Sequence, residues 1–152
     1  MHKVLLAMVM AIALVALAGC GGSDDDGGEE ALTKVEFIEQ GDAICTKAED
    51  QAETEAEEFA EENGFNLEKA TDEELEEAVA EVLVPALGQQ AEEIDALAAP
   101  EGDEETVEEI VVALEDGTAD VEDDPSVVFE GSPLKEASQL AKAYGFKVCG
   151  EE

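Results

Sequence analysis

The stretch Thr33-Lys34-Val35-Glu36-Phe37-Ile38-Glu39-Gln40-Gly41-Asp42-Ala43-Ile44-Cys45 carries both halves of a helix N-terminus and the first turns of an apolar stripe. Thr33 is placed to cap, Glu36 three positions on can return the hydrogen bond, and Leu32 and Phe37 flank them as a hydrophobic staple. Beyond it Ile38, Cys45, Ala52 and Phe59 recur every seven residues, with Gly41, Ala48 and Ala56 on the same stripe and Glu or Asp around the rest. Asn63-Gly64 supplies a left-handed stop. The pattern predicts one long amphipathic helix from Thr33 to Glu62.

Downstream the same grammar repeats. Thr71 and Glu74 form a second capping pair, and Leu75, Val79, Val82, Leu83, Ala86, Leu87, Ile94 and Leu97 mark an apolar face. Pro85 falls inside that face, where it removes a hydrogen bond and crowds the preceding turn. The expectation is a kink at Glu81 to Pro85 rather than a break at Leu87-Gly88, with Pro100 and Gly102 ending the helix. Val107, Ile110, Val111 and Leu114 predict a third helix stopping at Asp116-Gly117. A fourth is expected with Ser132 as cap and Pro133 at its first position, its inner face Ala137, Leu140, Ala141 and Tyr144. Residues 118 to 131 read as a connection, in which Asp124-Pro125 suits a short helical turn tucking Phe129 inward. No alternating run is long enough for a sheet, so the expected fold is all-α: a four-helix antiparallel bundle.

Ahead of the helices, Val4 to Ala18 is an almost unbroken apolar run behind Met1, His2 and Lys3, and it closes on Leu17-Ala18-Gly19-Cys20. That length suits the core of a signal peptide, because a spanning helix wants about twenty apolar residues. The four residues resemble the lipobox of bacterial lipoproteins. The resemblance implies a signal peptide over 1–19, cleavage before Cys20 and acylation of the Cys20 thiol, with the membrane as partner through that lipid. Two or three acyl chains anchor a protein stably where one does not. The plainer alternative is an ordinary secretory signal cut near Gly19. Gly21 to Glu30, rich in glycine and acid, reads as the main part of a flexible tether over 20–31, leaving 32–150 as the bundle domain.

With Cys20 assigned to lipid, Cys45 and Cys149 are the remaining thiols among the three cysteines. In a compartment that favours disulfides they are expected to pair, closing a loop of about one hundred residues worth about 4.7 kcal/mol by the chain-entropy relation. Two reduced, inert cysteines or a redox pair are the alternatives, although the close Cys-x-x-Cys spacing of redox motifs is missing. The segments Phe37 to Cys45 and Ala143-Tyr144-Gly145-Phe146-Lys147-Val148-Cys149-Gly150 resemble the two ends of small secreted helical lipoproteins of actinobacteria, a class without assigned activity. That likeness supports the same pairing.

Composition narrows the chemistry. The chain has 42 Asp and Glu against 7 Lys and Arg, a formal charge of −35, and one histidine. Such a field repels nucleic acid, whose phosphates require cations. Removing the signal would take away His2, which excludes histidine-based triads and imidazole metal sites. Paired carboxylates such as Glu57 and Glu61 read as a solvated helix face. Asp116, Asp120, Glu122, Asp123 and Asp124 crowd one region and are the weak candidates for calcium, but they lack the spacing of an EF-hand. The expectation is thus a lipid-anchored, extracytoplasmic module at the cell envelope, binding or structural, with no enzymatic activity and no cofactor. The alternative is a carboxylate-based calcium-binding protein.

Overall fold

The computed structural model describes residues 31–150. The expected signal peptide over 1–19, Cys20 and nearly all of the expected tether over 20–31 lie outside them. Among the described residues the fold is entirely helical, with α1 at Lys34–Asn63, a 3-10 turn at Leu67–Lys69, α2 at Asp72–Ala78, a π segment at Val79–Leu83 and α3 at Val84–Asp95. α4 follows at Glu104–Asp123, then a short α5 at Val127–Glu130 and α6 at Lys135–Tyr144. Because α2, the π segment and α3 run on without interruption, the described residues form four helical runs of seven residues or more, plus α5.

Both capping boxes form. Thr33 Oγ1 accepts from the Glu36 amide, and the Glu36 carboxylate accepts from the Thr33 amide at 3.0 Å; Thr71 and Glu74 repeat this, with the Thr71 amide donating at 2.7 Å. These bonds favour the ionised acids, holding the carboxyls of both glutamates below the ordinary carboxylate range. α1 ends where Gly64 enters the left-handed region at φ 79° and the Phe65 amide turns back to the Ala60 carbonyl at 3.0 Å. Phe65 then packs edge-on against Phe59.

Pro85 does not break the helix. With no N–H to offer, it is preceded by a π turn in which the Val84 amide reaches back five residues to the Val79 carbonyl. The wider turn absorbs the proline, and the helix runs past Leu87-Gly88 to Asp95.

Neighbouring helices pack in opposite directions. Leu32 pairs with Ala98, Lys47 with Glu93, and Ala52 and Ala56 share a groove with Leu75 and Val79, so α1 runs antiparallel to the long helix. On α4 and α6 the Asp103–Tyr144 and Gly117–Leu134 contacts give the same sense. The main core joins Phe37 and Cys45 of α1 to Leu87, Ala91 and Ile94 of α3, Val107, Ile110, Val111 and Leu114 of α4, and Ala137, Ala141 and Tyr144 of α6.

Four sequence expectations need correction. The α1 stripe is displaced: Phe37, Gly41, Cys45 and Ala60 are buried, whereas Ile38, Ala52 and Phe59 are half-buried. The third helix does not stop at Asp116-Gly117 but continues to Asp123, burying Gly117, Thr118 and Val121. Gly117 is an approach point instead of a stop, for a Cβ there would meet the Pro133 carbonyl and the Leu134 side chain at 2.8 Å. α6 starts at Lys135 with Leu134 at the cap position, two residues after the expected proline start. Phe129 is not tucked in: it is 52% exposed.

Candidate functional site

The C-terminal tail is where distant parts of the sequence meet. α6 closes at Gly145, with φ at 126°, and the chain turns so that Phe146 is buried beside Phe37 and Tyr144. The three rings form a cluster with centroid separations of 5.6 to 6.0 Å. The next residues pass over α1. Asp42, one turn before Cys45, accepts from the amides of Lys147 at 3.1 Å, Val148 at 2.9 Å and Cys149 at 3.3 Å. A carboxylate that collects successive backbone N–H groups acts as the anion of a small nest and fixes the course of the tail. Cys149 is thereby delivered to Cys45, and the two form a disulfide with Cα atoms 5.4 Å apart.

Nothing in residue type alone marked Asp42, since it is one acid among 42. Its position one helical turn from a cysteine expected to receive the tail was the available signal.

A second polar group closes the same end of the bundle. The Tyr144 hydroxyl donates to Asp103 Oδ2 at 2.9 Å, Lys34 Nζ stands 3.5 Å from that oxygen, and the ammonium also sits 3.8 Å from the Tyr144 ring centroid. Burial first, then the hydrogen bond and negative charge of Asp103, push the Tyr144 phenol well above its ordinary pKa.

Behind the disulfide lies a cavity of about 230 Å³ between the helices. Leu83 and Leu87 face Ile110, Leu114 and Ala141 across it, Val148 and the Cys45–Cys149 bridge form one wall, and Gln90, Ser138 and Glu49 supply its polar atoms. The Gln90 side-chain amide donates to Cys45 Sγ at 3.1 Å, which orients it along that wall. A separate open groove holds Ala52, Ala56, Leu75, Val79, Val82 and Phe129.

The acidic candidates fall elsewhere. Asp116, Asp120, Glu122 and Asp123 lie on the last turns of α4 and Asp124 at its C-cap, all of them exposed. This corrects their expected placement in one loop: they lie along a helix, where Asp116, Asp120 and Asp123 share an exposed face about one turn apart. Among the described residues no three metal-ligating side chains are grouped so as to hold an ion. Glu57 and Glu61 are likewise exposed on α1. No described helix is long and apolar enough to cross a membrane.

No protein-family model matches this chain, and neither a curated protein nor a solved structure matches it. The arrangement of its own residues therefore carries the functional reading. Chemically the interhelical cavity offers aliphatic walls, an oxidised sulfur pair and the polar atoms of Gln90, Ser138 and Glu49.

Proposed function

We propose that the chain is a lipid-anchored extracytoplasmic binding module: a signal peptide over 1–19, an acylated Cys20, a tether over 20–31 and a four-helix antiparallel bundle over 32–150 that works without catalysis. The observation that carries this reading is the Cys45–Cys149 disulfide. Disulfides of this structural kind belong to oxidising compartments, and the pairing leaves Cys20 as the odd thiol of the three, at the end of the lipobox-like stretch. Binding rather than a purely structural role is supported by the interhelical cavity, because small-molecule sites in bundles are built between facing helices. The strong negative charge keeps such a domain in solution and away from anionic surfaces.

Metabolic labelling with an alkyne fatty acid tests the anchor. The wild-type chain is expected to carry the label and to partition with membranes, the Cys20→Ala chain to lose both, and globomycin to leave the precursor unprocessed. A wild-type chain that stays unlabelled and is processed normally under globomycin would overturn the reading.

A further inference from the structure

The cavity beside the disulfide has a chemistry more specific than apolar space, and its ligand class deepens the binding role proposed above. Its volume is about 230 Å³. An engineered cavity of about 150 Å³ lined by aliphatic side chains stays dry and takes up benzene, so this space accommodates a monocyclic or short branched apolar body. The aliphatic walls of Leu87, Ile110, Leu114 and Val148 supply the contact, and nothing in them selects a head group. Selection comes from charge. Glu49 is the one charged side chain lining the cavity, it is exposed, and no lysine accompanies it. Around it the chain carries a formal charge of −35. An anionic head would be repelled both locally and by the whole field, whereas a cationic one is drawn to the mouth. Gln90, held against Cys45, adds an amide that can meet a polar hydrogen or oxygen.

We infer that this cavity binds a small lipophilic amine, its apolar body between α3, α4 and α6 and its ammonium at Glu49. Other ligands compete poorly for physical reasons. A fatty acid brings the wrong charge, and a drug-sized molecule exceeds the space, since such ligands fill about 300–1,000 Å³.

The test uses the full chain in phospholipid nanodiscs with the disulfide intact, and follows leucine, isoleucine and valine methyl resonances by NMR. The probes are phenethylamine, ethylbenzene and 3-phenylpropionate. Phenethylamine is expected to shift the methyls of Leu87, Ile110 and Leu114 saturably, ethylbenzene to do so more weakly and phenylpropionate not at all. Glu49→Gln, on the surface, is expected to weaken phenethylamine by about 2- to 5-fold and leave ethylbenzene unchanged. Ala141→Leu fills the space and is expected to abolish the response to both. Equal response to the amine and the acid, or an amine response insensitive to Glu49→Gln, would overturn the inference. Because these readouts come from the bundle interior, they fail or succeed independently of fatty-acid labelling at Cys20.

Discussion

Asp42 accepts the Val148 amide at 2.9 Å across 106 positions of sequence, and the neighbouring amides of Lys147 and Cys149 converge on the same carboxylate. Hydrogen bonds to an ionised acceptor contribute about 1.5–3 kcal/mol each when partly shielded from water. Asp42→Ala is therefore expected to lower unfolding free energy by about 2 kcal/mol, and Asp42→Asn, which keeps an acceptor but no charge, by less. Urea denaturation with the disulfide intact measures both. An Asp42→Ala midpoint equal to that of the wild type would show that the tail is held by the sulfur bridge alone.

The bridge itself acts on the unfolded chain. Cys45 and Cys149 are 104 residues apart in sequence, and closing a loop of that size restricts the denatured ensemble by about 4.7 kcal/mol at most, with about 2–4 typical of measured cases. Reduction, or the double substitution Cys45→Ala and Cys149→Ala, is expected to lower stability by about 3 kcal/mol. The α6 end should open first, because without the bridge the tail is held by the Asp42 contacts and by the packing of Phe146 and Val148. Hydrogen exchange at residues 144–150 in reduced and oxidised protein is the check. Uniform loss of protection across all helices would contradict local opening.

Gly41 and Gly88 make a controlled pair. A Cβ at Gly41 would overlap the ring of Phe146, while a Cβ at Gly88 meets nothing within 4 Å. Gly41→Ala is expected to cost about 1–3 kcal/mol by forcing the ring from its place. Gly88→Ala, in the middle of α3, is expected to add about 0.5–1 kcal/mol through helix propensity and a less flexible unfolded chain. Thermal melts of the two variants should move in opposite directions.

The contrast between these glycines explains what the sequence could and could not disclose. Local signals were sufficient where the physics is local: Thr33 with Glu36, Thr71 with Glu74, and the Val107 to Leu114 face all stand as their spacing indicates. Gly117 misled because glycine marks both helix ends and close contacts, and only the packing of Leu134 distinguishes them. Burial of Phe37 in place of Ile38 arises the same way, for the aromatic partners that claim Phe37 lie more than one hundred residues on, at Tyr144 and Phe146. The π turn answers a proline already visible at position 85, but its geometry depends on carbonyls one turn back. Of the candidate site, the cysteine pair was legible by parity, while Asp42 and the cavity required three dimensions.

Tyr144 is the sole tyrosine, so absorbance at alkaline pH reports it alone. Its folded-state pKa is raised above the ordinary 10.0, first by burial and then by Asp103. Below pH 10 the phenol is neutral in both folded and unfolded chains and stability does not depend on it. Above pH 10 the unfolded chain releases the proton while the folded chain retains it, so the stability this burial permits is progressively lost as pH rises towards the folded pKa. Native protein should show no phenolate absorbance until well past pH 10, and the denaturation midpoint should fall over the same range. Tyr144→Phe should remove that part of the alkaline dependence. A native titration midpoint near 10 would mean that the ring is solvated.

Charge repulsion is expected to limit stability more than any single contact. The formal charge is −35 over 152 residues, and Lys34–Asp103 and Lys47–Glu93 are the ion pairs formed among the described residues. Exposed pairs contribute about 0–1 kcal/mol, too little to balance the carboxylates along α1 and α4. Raising sodium chloride shortens the Debye length from about 10 Å at 0.1 M to about 3 Å at 1 M, which screens the repulsion more than it weakens the two pairs. The melting temperature is therefore expected to climb steadily across that range. Calcium added against the high-salt background is expected to change little, because the acids on the last turns of α4 are exposed and no three ligating side chains among the described residues are grouped to hold an ion. A fall in melting temperature with salt would show that attractive pairs dominate, and a saturable rise at micromolar calcium would place a defined cation site on this surface.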